Sequence, residues 1–103
     1  MMYIVYITCK NLQEAKKIAK HLLEKRLIGC ANIIPSIISM YWWRGKIENE
    51  KESLILCKTS KKLISKVKAE TKKIHSYDIP FIEFIKVADQ NKDYSKWLES
   101  ELK

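Results

Sequence analysis

A single α+β domain with the element order βαββαβ and one more helix at the C-terminus is the fold class this sequence predicts. Three observations predict it. Four runs are rich in β-branched and aromatic residues, the segments after the first, third and fourth repeat apolar residues at helical spacing, and a two-residue turn joins the two longest runs. A chain of 103 residues is one domain's worth, so residues 1–103 are read as one unit, and 47% hydrophobic against 31% charged residues lets it bury its own core. Two Gly and two Pro leave no material for a flexible linker or a Gly-rich phosphate loop.

Tyr3 to Thr8 reads as the first strand. Asn11 offers a side-chain cap with Glu14 three residues on, and Leu12, Ala15, Ile18, Ala19, Leu22 and Leu23 then repeat at helical spacing until Gly29 is expected to stop the turn. Cys30 to Trp43 is a long β-prone stretch interrupted at Pro35, which cannot donate to a ladder and marks a bulge or a free edge. Arg44 and Gly45 supply a turn, and Lys46 to Thr59 returns as an equally long strand. Ser60 is placed to cap a second helix carrying Leu63, Ile64, Val67, Thr71 and Ile74 on one face. Pro80 to Val87 gives the fourth strand, and Tyr94, Trp97, Leu98 and Leu102 share a side of the last helix.

This order is the ferredoxin-like split βαβ arrangement, an antiparallel sheet of strand order 2-3-1-4 with both main helices on one face. The topology brings Cys9 and His75 to one end of the fold. Cys30 and Cys57 fall at the opposite end on neighbouring strands, on the same face when pairs are counted from a two-residue turn; a bulge at Pro35 reverses that parity.

The hairpin sets a further expectation. Strands of about 13 residues at about 3.3 Å each reach roughly 43 Å, whereas a compact body of this length is only about 33 Å across, from a radius of gyration near 13 Å. The ribbon must overhang its own domain, and it carries Met40, Tyr41, Trp42, Trp43 and Ile47. Exposed on a monomer it would be poorly stable, and the helix-free face of the sheet has the same need, so other subunits in closed symmetry are expected to cover both.

The net charge of +8 is unevenly placed. Lys61, Lys62, Lys66, Lys68, Lys72 and Lys73 stand against Glu70 alone, which accounts for five of the eight charges. Lysines on the solvated side of an amphipathic helix explain this better than phosphate recognition does, since 18 of the 20 basic residues are Lys and lack the bidentate fork of Arg. An RNA-reading sheet needs aromatic residues in its third strand, where this chain has Lys51-Glu52-Ser53-Leu54-Ile55-Leu56-Cys57. The apolar stretches are too short or too interrupted for membrane insertion. With no basic n-region or A-x-A site ahead of the first strand, a cytoplasmic location is expected. Cys9, Cys30 and Cys57 are odd in number and lack CxxC spacing, which predicts reduced thiols. His21, among Glu14, Lys17 and Lys25, reads as a surface histidine, and no nucleophile constellation is visible, so no enzyme activity is expected. His75 at a helix terminus either neutralises the helix dipole or serves as a ligand.

Arg26-Leu27-Ile28-Gly29-Cys30-Ala31-Asn32-Ile33-Ile34-Pro35, followed by Tyr41, Trp43, Gly45, Lys46, Ile47 and Glu48, resembles the CutA family of divalent-cation tolerance proteins. Lys58-Thr59, the HSYDIP run from His75, and Tyr94 with Trp97-Leu98 extend the resemblance from Thr8 to Leu102. It implies a homotrimer, similar in architecture to PII signalling proteins, with Tyr41, Trp42, Trp43 and Ile47 at the trimer interface. It also implies copper ligation by a thiol near the end of the first strand and by His75. Cys9 lies two positions beyond the family's thiol, which aligns with Ile7, while Cys30 matches the family's cysteine in an A-C-[AV]-N-like run and Cys57 has no counterpart. Ser76 and Phe81 depart from the family's usual Pro and Glu.

Thiol and imidazole suit Cu(I) or Zn(II). The expected function is therefore a trimeric, copper-type cation-binding protein, with Cys9 and His75 as ligands and Cys30 as a weaker candidate. The alternative is a PII-like regulator that binds a small molecule in intersubunit clefts and docks a partner protein. Nucleic acid is not the expected partner: any binding should be indifferent to sequence and lost in moderate salt, because a lysine face supplies only counterion release. A sequence-specific complex surviving physiological salt in a mobility-shift titration would contradict this.

Overall fold

The computed structural model describes all 103 residues. Strand β1 (Met2–Cys9) leads to helix α1 (Leu12–Glu24), and the hairpin β2 (Cys30–Trp43) and β3 (Lys46–Ser60) follows. A short 3-10 turn (Lys61–Leu63) runs into α2 (Ile64–Ile74), β4 (Ile82–Lys86) closes the sheet, and α3 (Lys92–Glu101) ends the chain. The sheet order is β2-β3-β1-β4 with antiparallel neighbours, as expected. Val5, Ile7, Cys9, Ile55 and Cys57 on one sheet face pack with Ala15, Ile18 and Leu22 of α1, Leu63 of the 3-10 turn and Val67 of α2, so the two helices share one core.

The hairpin overhangs. The molecule measures 45 × 25 × 23 Å. Pairing of β3 with β1 ends at Ser53, opposite Cys9, whereas pairing of β3 with β2 continues to Trp43 and Lys46. At that boundary the β2–β3 register shifts between Ile34 and Ile37, and the Ser53 hydroxyl donates to the Pro35 carbonyl at 2.7 Å. The shift puts Ala31 opposite Cys57 and Ile33 opposite Ile55. Cys57 is therefore on the helix face and Cys30, opposite Lys58, is on the other: the bulge reverses the parity counted from the turn. Arg44 (φ 50) and Gly45 (φ 79) both lie in the left-handed region, the backbone of a type I′ turn.

Two expected stops and caps differ. Helix α1 ends at Glu24 without Gly29, because Arg26 takes the left-handed position (φ 59) and Leu27 N–H bonds back to the Leu22 carbonyl at 3.0 Å. Gly29 is needed for another reason, since a Cβ there would fall 2.0 Å from Leu98 Cδ1, and Leu98 is buried. Ser60 precedes the 3-10 turn but makes no side-chain cap, and its buried hydroxyl has no partner. His21 is likewise more than a surface residue: its Nε2 lies 2.9 Å from Glu70 Oε1 and ties α1 to α2. Replacing Gly29 with Ala should destabilise the fold by about 1–3 kcal/mol by driving Leu98 out of place, measurable as a lower denaturation midpoint. An unchanged midpoint would show that α3 yields freely.

Candidate metal centre

The end of β1, the start of α1 and the end of α2 meet at one corner of the sheet. Cys9 is the last residue of β1, and the Lys10-Asn11 turn brings α1 straight back over it. Asn11 caps α1 by accepting from Glu14 N–H at 2.9 Å, which fixes the first helical turn and aims the Glu14 carboxylate at the corner. Helix α2 ends where His75 turns extended (φ −76, ψ 141), and its ring reaches the same place. Ligand atoms of Cys9, Glu14 and His75 all lie within 4.8 Å of one another. The structure thus unites Cys9 with His75, as the topology predicts, and adds Glu14, which sequence reasoning treated only as half of a capping pattern.

Glu14 and His75 already have partners. Glu14 Oε1 accepts from Lys10 N–H at 3.0 Å and Oε2 from Ser76 N–H at 2.9 Å. Burial works to raise the Glu14 carboxyl, but hydrogen bonds from Ser76 and Lys10, with the nearby His75, hold it below the ordinary value. His75 Nδ1 accepts from Tyr77 N–H at 3.1 Å, so the neutral ring carries its proton on Nε2 and donates it to the Thr8 carbonyl at 2.8 Å. In this state the ring bolts the turn after α2 to the end of β1, a structural tie that was not read from the sequence. Burial, and then the Glu14 and Glu52 carboxylates, push the Cys9 thiol up to about 12, so it is a neutral thiol at physiological pH.

Cys30 is remote from this corner. It is the first residue of β2, at the opposite end of the sheet body from Cys9, with Sγ 3.0 Å from the Tyr94 hydroxyl of α3, and Lys58 Nζ sits 4.6 Å from the centre of that ring. Cys57 is buried in the core, pushed up to about 12 by burial. All three thiols are free.

The sequence matches the profile of the family described as "CutA1 divalent ion tolerance protein" over residues 3–101. The chain belongs to the CutA1 family. It is 45% identical over 102 residues to the divalent-cation tolerance protein CutA of Pyrococcus horikoshii, covering 99% of both chains. The solved divalent cation tolerance protein of Thermus thermophilus superposes with a TM-score of 0.97 at 36% identity, covering 100% of both chains. Human protein CutA is 37% identical over 93 residues, which are 90% of this chain and 52% of that one. The chain thus spans nearly the full length of this archaeal and bacterial pair and about half of the human relative.

Within the CutA1 family the two departures noted above acquire physical meaning. Ser76 supplies the backbone N–H that Glu14 Oε2 accepts, and a proline at that position would have none to give. Phe81 packs edge-on against Tyr6, with ring centres 5.6 Å apart, so this position contributes an aromatic wall. Because Glu14 satisfies two backbone N–H groups from two segments, Glu14→Ala should lower stability by about 1–3 kcal/mol and speed exchange of the Lys10 and Ser76 amide protons. Unchanged protection of both amides would remove Glu14 from the corner.

Proposed function

We propose that the chain works as a cytoplasmic homotrimer that binds a copper-type divalent cation through Cys9 and His75, with Glu14 as a third ligand. The observation that carries this reading is the convergence of thiol, carboxylate and imidazole within 4.8 Å, a donor set suited to copper or zinc. Binding has two requirements in this corner. The Cys9 thiol must release its proton, and His75 must exchange either the Tyr77 N–H at Nδ1 or the Thr8 carbonyl at Nε2 for the cation. The Ser76-Tyr77 turn is the piece that moves if Nδ1 is the ligand.

The hairpin supports the trimer. Strand alternation divides the four residues assigned to the interface: Trp42 and Ile47 pair across the ribbon on one face, while Tyr41 and Trp43 lie on the other. Ile38 (69% exposed), Met40 (67%), Trp42 (72%) and Ile47 (59%) form an apolar stripe on the overhang, beside the unpaired outer edge of β2. Both call for a covering subunit. A PII-like regulator with a small-molecule cleft is a second reading, favoured by a cavity beside Tyr41 and Trp43 that Glu48, Glu50 and Glu52 help to line.

Copper titration of the thiol-reduced protein tests the cation reading. Cys9→Ser combined with His75→Ala should weaken binding by at least about tenfold with the oligomer intact, and Cys30→Ser should titrate like the parent. Copper binding unchanged in the double variant, or abolished by Cys30→Ser alone, would contradict the assignment. Light scattering at micromolar concentration should give three times the subunit mass, and Trp42→Ala, losing about 3–5 kcal/mol per packed ring, should shift it toward smaller species. A stable parent monomer would contradict the trimer.

A further inference from the structure

Where β3 leaves the sheet, a cavity of about 770 Å³ lies between the 3-10 turn and the end of α3, lined by Met1, Ser60, Lys61, Lys62, Glu99 and Leu102. Ser60 pairs with Met2, at the opposite end of β3 from the Arg44-Gly45 turn, so the cavity is at the far end of the body from the overhang that the trimer covers. One lining group is anomalous. Ser60 is only 8% exposed, and its Oγ is the one buried side-chain nitrogen or oxygen of the fold without a hydrogen-bond partner. Its backbone is extended (φ −99, ψ 161), as befits a residue ahead of a helix, yet the hydroxyl caps no amide. The neighbouring Lys61 N–H is already taken by the Met1 carbonyl at 3.0 Å. A buried hydroxyl left unpaired costs free energy, and a ligand in the cavity that accepts from it removes that cost.

The charges around that hydroxyl say what the ligand carries. The 3-10 turn runs directly into α2, so the positive end of the helix dipole lies beside Ser60, and neither segment has an acidic residue in its first turn to offset it. Lys61 and Lys62 are exposed and form no ion pair; the ion pairs of the fold use His21, Lys25, Arg26 and Lys73. Glu99, exposed and also outside those pairs, is the single acid on the lining, against two ammonium groups and the helix start. The balance favours an anion. A hydroxyl donor, two flexible ammonium groups and a helix start suit the double charge and several oxygens of a phosphate group better than the single charge of a carboxylate. The volume is that of a small-molecule site, and Met1 and Leu102 give it an apolar wall for whatever the phosphate is attached to.

We infer that this cavity binds a phosphate group, free or carried on a small organic molecule, with the Ser60 hydroxyl donating to one of its oxygens and Lys61 and Lys62 supplying the counter-charge. The site is separate from the Cys9 corner and independent of the cation reading. Of the lysine-rich segment only Lys61 and Lys62 line it, so it takes a small ligand and leaves the expectation for nucleic acid unchanged.

Isothermal titration of the full-length protein in its native oligomeric state, with glycerol 3-phosphate and separately with inorganic phosphate, should give saturable binding. Tighter binding of the ester assigns the rest of the cavity to an organic group, and equal affinity assigns free phosphate. Lys61→Gln with Lys62→Gln should weaken binding about tenfold or more, whereas Lys66→Gln with Lys72→Gln, the same charge change elsewhere on α2, should leave it as in the parent. Ser60→Ala separates a ligand group from a structural one. Without phosphate its denaturation midpoint should match or exceed the parent's, because an unpaired hydroxyl is removed, while the rise in midpoint that phosphate gives the parent should be lost. Absence of binding by both probes would overturn the inference. So would equal weakening by the two lysine pairs, which reduces the effect to diffuse charge, or a Ser60→Ala protein that is less stable without phosphate or is stabilised by phosphate as fully as the parent.

Discussion

One slipped residue in the β2–β3 ladder decides what each face of this protein carries. The slip sits where β1 stops supporting β3, at Ser53 opposite Cys9, and the Ser53 hydroxyl holds the Pro35 carbonyl there. On the body side it turns Ala31 and Ile33 toward the helices and leaves Asn32 exposed. Without it Asn32 would oppose Cys57 in the core, at the desolvation cost of an unpaired amide. On the overhang side it places Tyr41 and Trp43 with Glu48, Glu50 and Glu52 on the helix-free face, and Ile38, Met40 and Trp42 on the other. A bulge also strengthens the local twist. The core, the acidic cavity and the apolar stripe thus all take their membership from this position.

The Cys9 corner obeys a different constraint. Three chain segments end there, each with backbone groups that need partners, and Glu14 and His75 supply them. The same side chains are therefore structural ties in the metal-free state and the proposed ligands of a cation. A site of this kind binds by exchange: hydrogen bonds to protein are given up as bonds to the ion form, and affinity is the difference. Such a site is weaker than one preformed for metal, and it links occupancy to the conformation of the Ser76-Tyr77 turn.

Much of the fold was legible because its signals are local or periodic. Helical spacing in α1, the Arg44-Gly45 turn and the length of the hairpin all act within short windows, and the strand order follows from topology rules. What sequence reading missed depends on distance. Glu14 looks like a capping residue because its second partner, Ser76, is 62 residues away. Gly29 looks like a helix stop because Leu98, which needs the space, is on α3. Pro35 flagged the possible slip, and the pattern Ala31, Asn32, Ile33 contained its direction, since only one parity buries the two apolar residues. The split of Trp42 from Trp43 was readable from strand alternation alone, and treating the aromatic run as one interface overlooked it.

The proposed function stands or falls on whether the cation is held by the Cys9 corner and by no other thiol. Copper X-ray absorption on the thiol-reduced, copper-loaded protein decides this, because the first coordination shell counts sulfur and imidazole separately. Ligation by Cys9 and His75 requires one sulfur and one imidazole per copper, with the sulfur lost in Cys9→Ser and retained in Cys30→Ser. A shell of oxygen and nitrogen alone in the parent, or a sulfur that survives Cys9→Ser, would contradict it.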